Sequence, residues 1–455
     1  MIPDRVQVQT GQGNTHGASA FDDHHPPDPE IIADCVHCGF CLPSCPTYVL
    51  WGQEMDSPRG RIVLMRTASE GNVSLTSNVV EHFDRCLGCM ACVTACPSGV
   101  QYNKLIEATR GQVERHYERP AADQLYRNAL FSVLPYSGRL RALLPMIWLY
   151  QRTGLSGLMR AVGTRGGIFS RVSAMAQLAP NVSLSGITQR LPQMTTAKAQ
   201  RRGRVGVLTG CVQDAFFGEV NAATVRVLAA EGYDVVIPPE QGCCGALSVH
   251  AGRENEGIRF ARQVIDAFED AEVDTIITNS AGCGSAMKEY EYLLRDDPAY
   301  ADRAARLSGR VKDIAEVLAA AEPVAPRHPL PIRVAYHDAC HLRHAQQVIE
   351  QPRTMLRTIP ELQVVDLPES DICCGSAGIY NLTEPEAARA LGERKAHNVA
   401  HVQPDMLAAG NPGCLLQITT ALKGMGMDIP SVHPIQLVDA SIRGIPVSEA
   451  VSRRK

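Results

Sequence analysis

A chain of 455 residues is too long for one ordinary core, so two or more domains are expected. Hydrophobic residues make up 45% of it, enough to pack them, and the formal net charge is only −4. That charge leaves no global basic field of the kind nucleic-acid binding requires, so nucleic acid is excluded as an expected partner. Sixteen cysteines fall in tight clusters rather than scattered as loop staples, which argues for metal over disulfides. Residues 1–28 lack the basic start, apolar run and cleavage site of a secretory signal. They read as a disordered tail on a cytoplasmic protein.

Residues 29–118 contain two cysteine runs of identical spacing. CVHCGFCLPSCP places Cys35, Cys38, Cys41 and Cys45 before Pro46, and CLGCMACVTACP places Cys86, Cys89, Cys92 and Cys96 before Pro97. This is the spacing of two-cluster bacterial ferredoxins, in which three thiolates of a run hold one [4Fe–4S] cluster and the fourth ligates the other. It predicts one cluster on Cys35, Cys38, Cys41 and Cys96, and a second on Cys86, Cys89, Cys92 and Cys45. Structural zinc fits less well, because it takes four ligands, usually from two separated pairs. Gly39 and Gly88 either let backbone amides approach cluster sulfur or serve as turn glycines. Between the runs, SPRGR reads as a helix start capped by Ser57 with Pro58 at the first position. Arg59 and Arg61 either favour reduced clusters or, more simply, are solvated surface arginines.

Residues 119–202 form a basic, helical linker: no acidic residue occurs between Asp123 and Asp214. Its run LRALLPMIWLY (140–150) is too short to span a bilayer, which needs roughly 20 residues. Leu143, Leu144, Met146, Ile147 and Trp148 could serve peripheral contact with the inner face of the cell membrane or contact with partner subunits.

From residue 203 the pattern changes to short apolar strands alternating with helices, and it occurs twice, over 203–325 and 326–445. RVGVLTGC ends at Cys211 and IRVAYHDAC at Cys340; YDVVIPPEQGCCG carries Cys243 and Cys244, and LQVVDLPESDICCG carries Cys373 and Cys374. VDTIITNSAGC reaches Cys283 and DMLAAGNPGC reaches Cys414. The cysteine separations agree between copies to within one residue. Strand–helix alternation implies parallel sheets, whose ligands bind beyond the carboxyl ends of the strands, where these cysteines lie. Four cysteines per repeat thus mark a candidate metal site beside Gly245 and Gly375, with buried free cysteines as the plainer reading. His337 and His344 flank Cys340 and either ligate, relay protons or are structural. The fold class is therefore α+β and multidomain: an α-helical ferredoxin-like two-cluster domain followed by two repeated parallel-sheet α/β units.

The phrases CVHCGFCLPSCPTY, SPRGRI, NSAGCGSAMKEY and CCGSAGIY, with the two "CCG" repeats, resemble the iron–sulfur subunit of bacterial glycolate oxidase from about residue 30 to 440. Related iron–sulfur subunits serve glycerol-3-phosphate oxidation, lactate utilisation and heterodisulfide reduction. The resemblance implies electron transfer in a flavin-dependent 2-hydroxy-acid dehydrogenase. A separate flavin subunit would oxidise glycolate to glyoxylate, and electrons would pass towards a membrane quinone. No Gly-x-Gly-x-x-Gly follows a strand, so neither flavin nor NAD is expected in this chain. Heterodisulfide-reductase relatives end each repeat in Cys-x-x-Cys, whereas Ser280 and Asn411 stand at the first of those positions here. That departure argues against the alternative of a disulfide reductase. A further alternative makes the C-terminal half a docking scaffold without redox centres.

Overall fold

A computed structural model of the chain describes residues 18–153, 168–180, 190–447 and 449. The first cysteine run ends where Pro46 opens the helix Pro46–Trp51, with Cys45 in extended backbone at its cap. The helix Pro58–Ser69 starts as its sequence predicts: Ser57 Oγ accepts the Gly60 N–H at 3.0 Å, and proline occupies the first turn. Gly60 is required there, because a Cβ would lie 2.0 Å from the Glu54 carbonyl oxygen. Helices Ser77–Asp84 and Tyr102–His116 close a small core around Met65, Phe83, Leu105 and Ile106.

Residues 18–28 do not form the expected tail. Asp22 pairs with Arg115 and His116 at 2.8 Å each and accepts Gln112 Nε2–H at 2.9 Å, while His25 lies 2.6 Å from Glu254 of the first repeat. Complementary charge holds a segment that the sequence reading took as disordered. The remainder of that expectation, residues 1–17, lies outside the described residues.

The region expected as a linker packs on the body through helices Ala121–Val133, Ser137–Arg152 and Ile168–Leu178. Several of its arginines are spent on ion pairs: Arg127 and Arg171 on Asp123, and Arg141 on Asp214. In the apolar run, Leu140 and Leu144 are buried, while Met146 and Leu149 are exposed at 67% and 57%. Leu144 therefore cannot contribute to a membrane-facing surface. Among the described residues no helix is long and apolar enough to cross a membrane.

The strands are β1 (Met194–Thr195), β2 (Gly203–Val207), β3 (Tyr233–Val236), β4 (Thr275–Thr278), β5 (Val311–Asp313), β6 (Arg333–His337), β7 (Gln363–Asp366), β8 (Met406–Ala409) and β9 (Ser431–Val432). They form two sheets ordered β1-β3-β2-β4-β5 and β7-β6-β8-β9. All pairs are parallel except β1 with β3. Removing the antiparallel edge strand β1 leaves the same order in both sheets, which matches the internal repeat. Two features depart from the sequence reading. β1 falls inside the span expected as linker, and each sheet has a fourth strand, β5 or β9, too short to show a pattern.

The repeats are not independent bodies. One apolar core runs from Val207 and Ile277 through Leu342 and Tyr336 to Leu407 and Val438. Helices Gly218–Ala230 and Pro434–Arg443 pack across the junction, tied by Arg226 to Asp439 at 2.7 Å.

Candidate iron–sulfur sites

Cys35, Cys38, Cys41 and Cys96 line one cavity, which Cys92 also borders. Cys45 faces both runs: its sulfur lies 3.3 Å from Thr47 Oγ1, and its charge acts on Cys41 of its own run and on Cys89 and Cys92 of the other. The Gly88 N–H reaches Cys86 Sγ at 3.4 Å, with φ +61° at the glycine, so the amide-to-sulfur reading holds there. Gly39 makes room instead for Arg59, whose Nη1 would lie 2.9 Å from a Cβ.

Arg61 corrects the expectation of a solvated arginine. It is 1% exposed and donates to the His82 carbonyl at 2.5 Å and to Thr47 Oγ1 and Asp56 Oδ1 at 3.3 and 3.4 Å. Asp56, itself fully buried, also contacts His82 at 2.9 Å and Arg85 at 3.2 Å. Burial raises the Cys86 thiol, but Arg61 and Arg110 outweigh it and the net shift is downward. Arg59 is partly exposed and pairs with Glu54 at 2.6 Å.

In the first repeat, Cys211 and Cys243 lie 3.5 Å apart, Cys244 interacts with both Cys243 and Cys283, and Gly245 N–H points at Cys243 Sγ at 3.4 Å. In the second, Cys340 and Cys373 are 3.9 Å apart, and Cys374, Cys414 and His337 have ligand atoms within 4.8 Å of one another. Both sets lie beyond the carboxyl ends of their parallel strands, as predicted.

The two sets differ in what surrounds them. Counted from the matched cysteines, His337, His341 and Lys395 fall where the first repeat has Leu208, Val212 and Ile265. In the second repeat the hydrogen bond from Cys373 and the nearby His341 hold the Cys340 thiol well below its ordinary range against burial. Cys374 is held low by Cys373, Cys414 and His337. In the first repeat Cys243, Cys244 and Cys283 are all pushed up by bonding to a neighbouring sulfur and by burial. Cys373 and Cys414 of the second repeat are pushed up in turn by bonding to Cys340 and Cys374 and by burial. Thiolate is the form that binds iron, and two second-set thiols, Cys340 and Cys374, are held towards it. His337 is buried against the Cys374 and Cys414 thiols and bonds to Cys374, which fits a ligand position.

His344, a sequence candidate, is structural: its nitrogens lie 3.1 Å from Thr94 Oγ1 and 3.0 Å from the Asp371 carbonyl. His341, which the sequence reading missed, lies 3.5 Å from Cys340 Sγ. The second N-terminal group meets this site directly. Cys89 and Leu87 share an apolar cluster with Cys373, Tyr380 and Cys340, and the charge on Cys340 bears on Cys89.

Residues 31–100 match the 4Fe-4S dicluster domain, 205–288 and 334–419 match the cysteine-rich CCG domain, and 122–179 match the linker region of the glycolate oxidase iron–sulfur subunit. A probable glycolate oxidase iron–sulfur subunit of Bacillus subtilis is 37% identical over 90% of this chain and 93% of its own length. The glycolate oxidase iron–sulfur subunit of Escherichia coli is 36% identical over 86% and 90%. The chain belongs to the glycolate oxidase iron–sulfur subunit family. Lactate utilization protein A of Oceanobacillus iheyensis is 28% identical over 53% of this chain and 98% of its own. As a member of the family, the chain is an iron–sulfur, electron-transferring subunit of an oxidoreductase complex, with at least one partner subunit.

Proposed function

We propose that the chain carries electrons within a flavin-dependent glycolate dehydrogenase. A separate flavin-bearing subunit oxidises glycolate to glyoxylate, and a membrane quinone is the downstream acceptor. One [4Fe–4S] cluster sits on Cys35, Cys38, Cys41 and Cys96, and a second on Cys86, Cys89, Cys92 and Cys45. A third centre sits in the second repeat on Cys340, Cys373, Cys374 and Cys414 with His337 at hand, while Cys211, Cys243, Cys244 and Cys283 stay as thiols. When bound, such clusters supply one-electron storage at potentials set by nearby charge and hydrogen bonds. The chain's own residues do the tuning: Arg61 and Arg110 supply positive charge at Cys86, and the Gly88 amide faces its sulfur. The observation that carries the reading is the packing of Cys89 against Cys340 and Cys373, which makes the two regions neighbours in one relay.

The test is anaerobic purification with native partners, followed by addition of candidate acids while the iron–sulfur absorbance is followed. Bleaching by glycolate is expected. Bleaching by glycerol 3-phosphate or lactate but not by glycolate would replace the substrate assignment. The exposed Met146 and Leu149 are the residues through which peripheral membrane contact would run.

A further inference from the structure

A cleft of about 550 Å³, open mouth included, lies where three parts of the fold meet. The ferredoxin-like region contributes Cys86 and Leu87, the first repeat Leu247 and His250, and the second repeat His341, Ile379 and Tyr380. His250 and Tyr380 are matched positions, the last residues of CCGALSVH and CCGSAGIY. The cleft is thus built on the pseudo-symmetry of the repeats. Three polar atoms of its lining residues are buried without a hydrogen-bond partner: Nε2 of His250, Nε2 of His341 and the Tyr380 hydroxyl. Buried polar groups are rarely left unpaired, and their gathering around one cleft marks a missing ligand.

The chemistry of the wall selects the ligand. Its two arginines are already committed: Arg110 to the carbonyls of His250, Phe83 and Cys86, and Arg127 to Asp123 and Asp84. Neither guanidinium is left over for a carboxylate or phosphate, and His341 Nδ1 already faces Cys340 Sγ at 3.5 Å. What remains is an apolar slot with imidazole and phenol groups for uncharged oxygens, directly beside a cysteine of the second N-terminal group. His250 also connects the slot to solvent. Its Nδ1 lies 2.9 Å from Glu107, and Glu107 lines the neighbouring cleft with Lys104 and Glu289. With Nδ1 turned to a carboxylate, Nε2 is the atom free to give or take a proton.

We infer that this cleft binds a quinone, an uncharged dicarbonyl oxidant, and that His250 and Tyr380 hydrogen-bond its oxygens. The inference rests on the electron-transfer reading above and locates its acceptor. Reduction to the hydroquinone consumes two electrons and two protons. The electrons are the two released when the hydroxy acid becomes the oxo acid; both protons come from solvent, by way of the neighbouring cleft, Glu107 and His250.

The experiment uses the full chain, purified anaerobically with its iron, and two probes: menadione for equilibrium binding and an azido-substituted benzoquinone for photolabelling and peptide mapping. Label is expected within 247–251 or 377–380. Y380F and H250Q should each weaken menadione binding about 3- to 10-fold, the weight of one hydrogen bond, with iron content and EPR spectra unchanged. Label confined to other peptides, unchanged affinity in both variants, or displacement of menadione by glycolate would overturn the inference. Failure of the electron-transfer reading looks different: no acid bleaches the chromophore in the complex, whatever the labelling shows.

Discussion

Ser280 Oγ donates to Asn411 Oδ1 at 3.4 Å, joining the two repeats at the positions where disulfide-reductase relatives carry a fifth cysteine. The same seam is closed by Ala281 N–H to the Gly410 carbonyl at 3.1 Å, and Asn411 Nδ2 reaches Cys414 Sγ at 3.5 Å. The missing cysteines are thus replaced by a polar clasp between the cysteine sets. N411A removes an acceptor and a donor together and should cost about 1–2 kcal/mol in chemical denaturation. S280A, which loses one hydroxyl, should cost less than about 1 kcal/mol. Equal and negligible costs would show that the clasp contributes nothing.

The buried Arg61 couples stability to redox tuning. It shares Asp56 with His82 and Arg85, so R61M leaves the carboxylate partly compensated, and a loss of about 3 kcal/mol is expected. Removing a positive charge that acts on both Cys86 and Cys45 also disfavours the reduced state. The midpoint potential of the second cluster should fall in a redox titration followed by EPR, while that of the first stays put. R61K should not restore the wild-type value, because one ammonium cannot reproduce the guanidinium's contacts to the His82 carbonyl, Thr47 and Asp56.

The sequence exposed most of what local spacing encodes. Cysteine runs ending in proline, apolar strands ending at cysteines and the capped start at Ser57 are patterns a few residues long. What it concealed is tertiary. Nothing near Arg61 announces burial, because its partners Thr47, Asp56 and His82 come from three other segments. β5 and β9, of three and two residues, are too short for any periodicity and exist only because a neighbouring strand offers its edge. Residues 18–28 looked disordered because their anchors are charges on a helix about ninety positions away. One signal could have been read and was not. Aligning the repeats residue by residue sets His341 and Lys395 against Val212 and Ile265, which already separates the two cysteine sets.

Glu289 gives the protein a pH signature. Burial, then the like charge of Glu107, pushes its carboxyl up to about 7, opposed by Asn103, His341 and Lys104. In the unfolded chain it titrates near its ordinary 4.5. Between these values the unfolded state sheds the proton that the folded state keeps. Its contribution is therefore fully present below about 4.5 and lost as pH rises to about 7. Allowing for partial exposure, the loss amounts to about 2 kcal/mol. E289Q should flatten stability against pH across that window and be the more stable protein at pH 8; parallel curves for the two proteins would rule this out.

The crossed assignment of the N-terminal cysteines predicts which signal disappears in a variant. Cys45 belongs by sequence to the first run, and its charge reaches Cys89 and Cys92 of the second as well as Cys41 of its own. C45A should abolish the EPR spectrum of the second cluster and spare the first, and C96A should do the reverse. Loss of the first cluster in C45A would refute the pairing.

The asymmetry of the repeats predicts a metal count. If both cysteine sets held four-iron clusters, the chain would carry about sixteen irons; if neither did, about eight. The second set has His337, His341 and Lys395 beside it, with Cys340 and Cys374 held low and Cys373 and Cys414 pushed up; the first has Leu208, Val212 and Ile265, with Cys243, Cys244 and Cys283 all pushed up. Converting three buried neutral thiols to thiolates without a nearby cation costs several kcal/mol, which metal binding would have to offset before gaining anything. Iron and sulfide analysis of the anaerobically purified chain should thus give about twelve irons. C374A or C414A should bring the count down to about eight, whereas C243A or C244A should leave it at about twelve. A paired H337L/K395I variant, which gives the second repeat the first repeat's side chains, should lose the same four irons while keeping all sixteen cysteines. Retention of about twelve there would overturn the assignment of iron binding to His337 and Lys395, and a count of about sixteen in the unaltered chain would place iron in the first repeat as well.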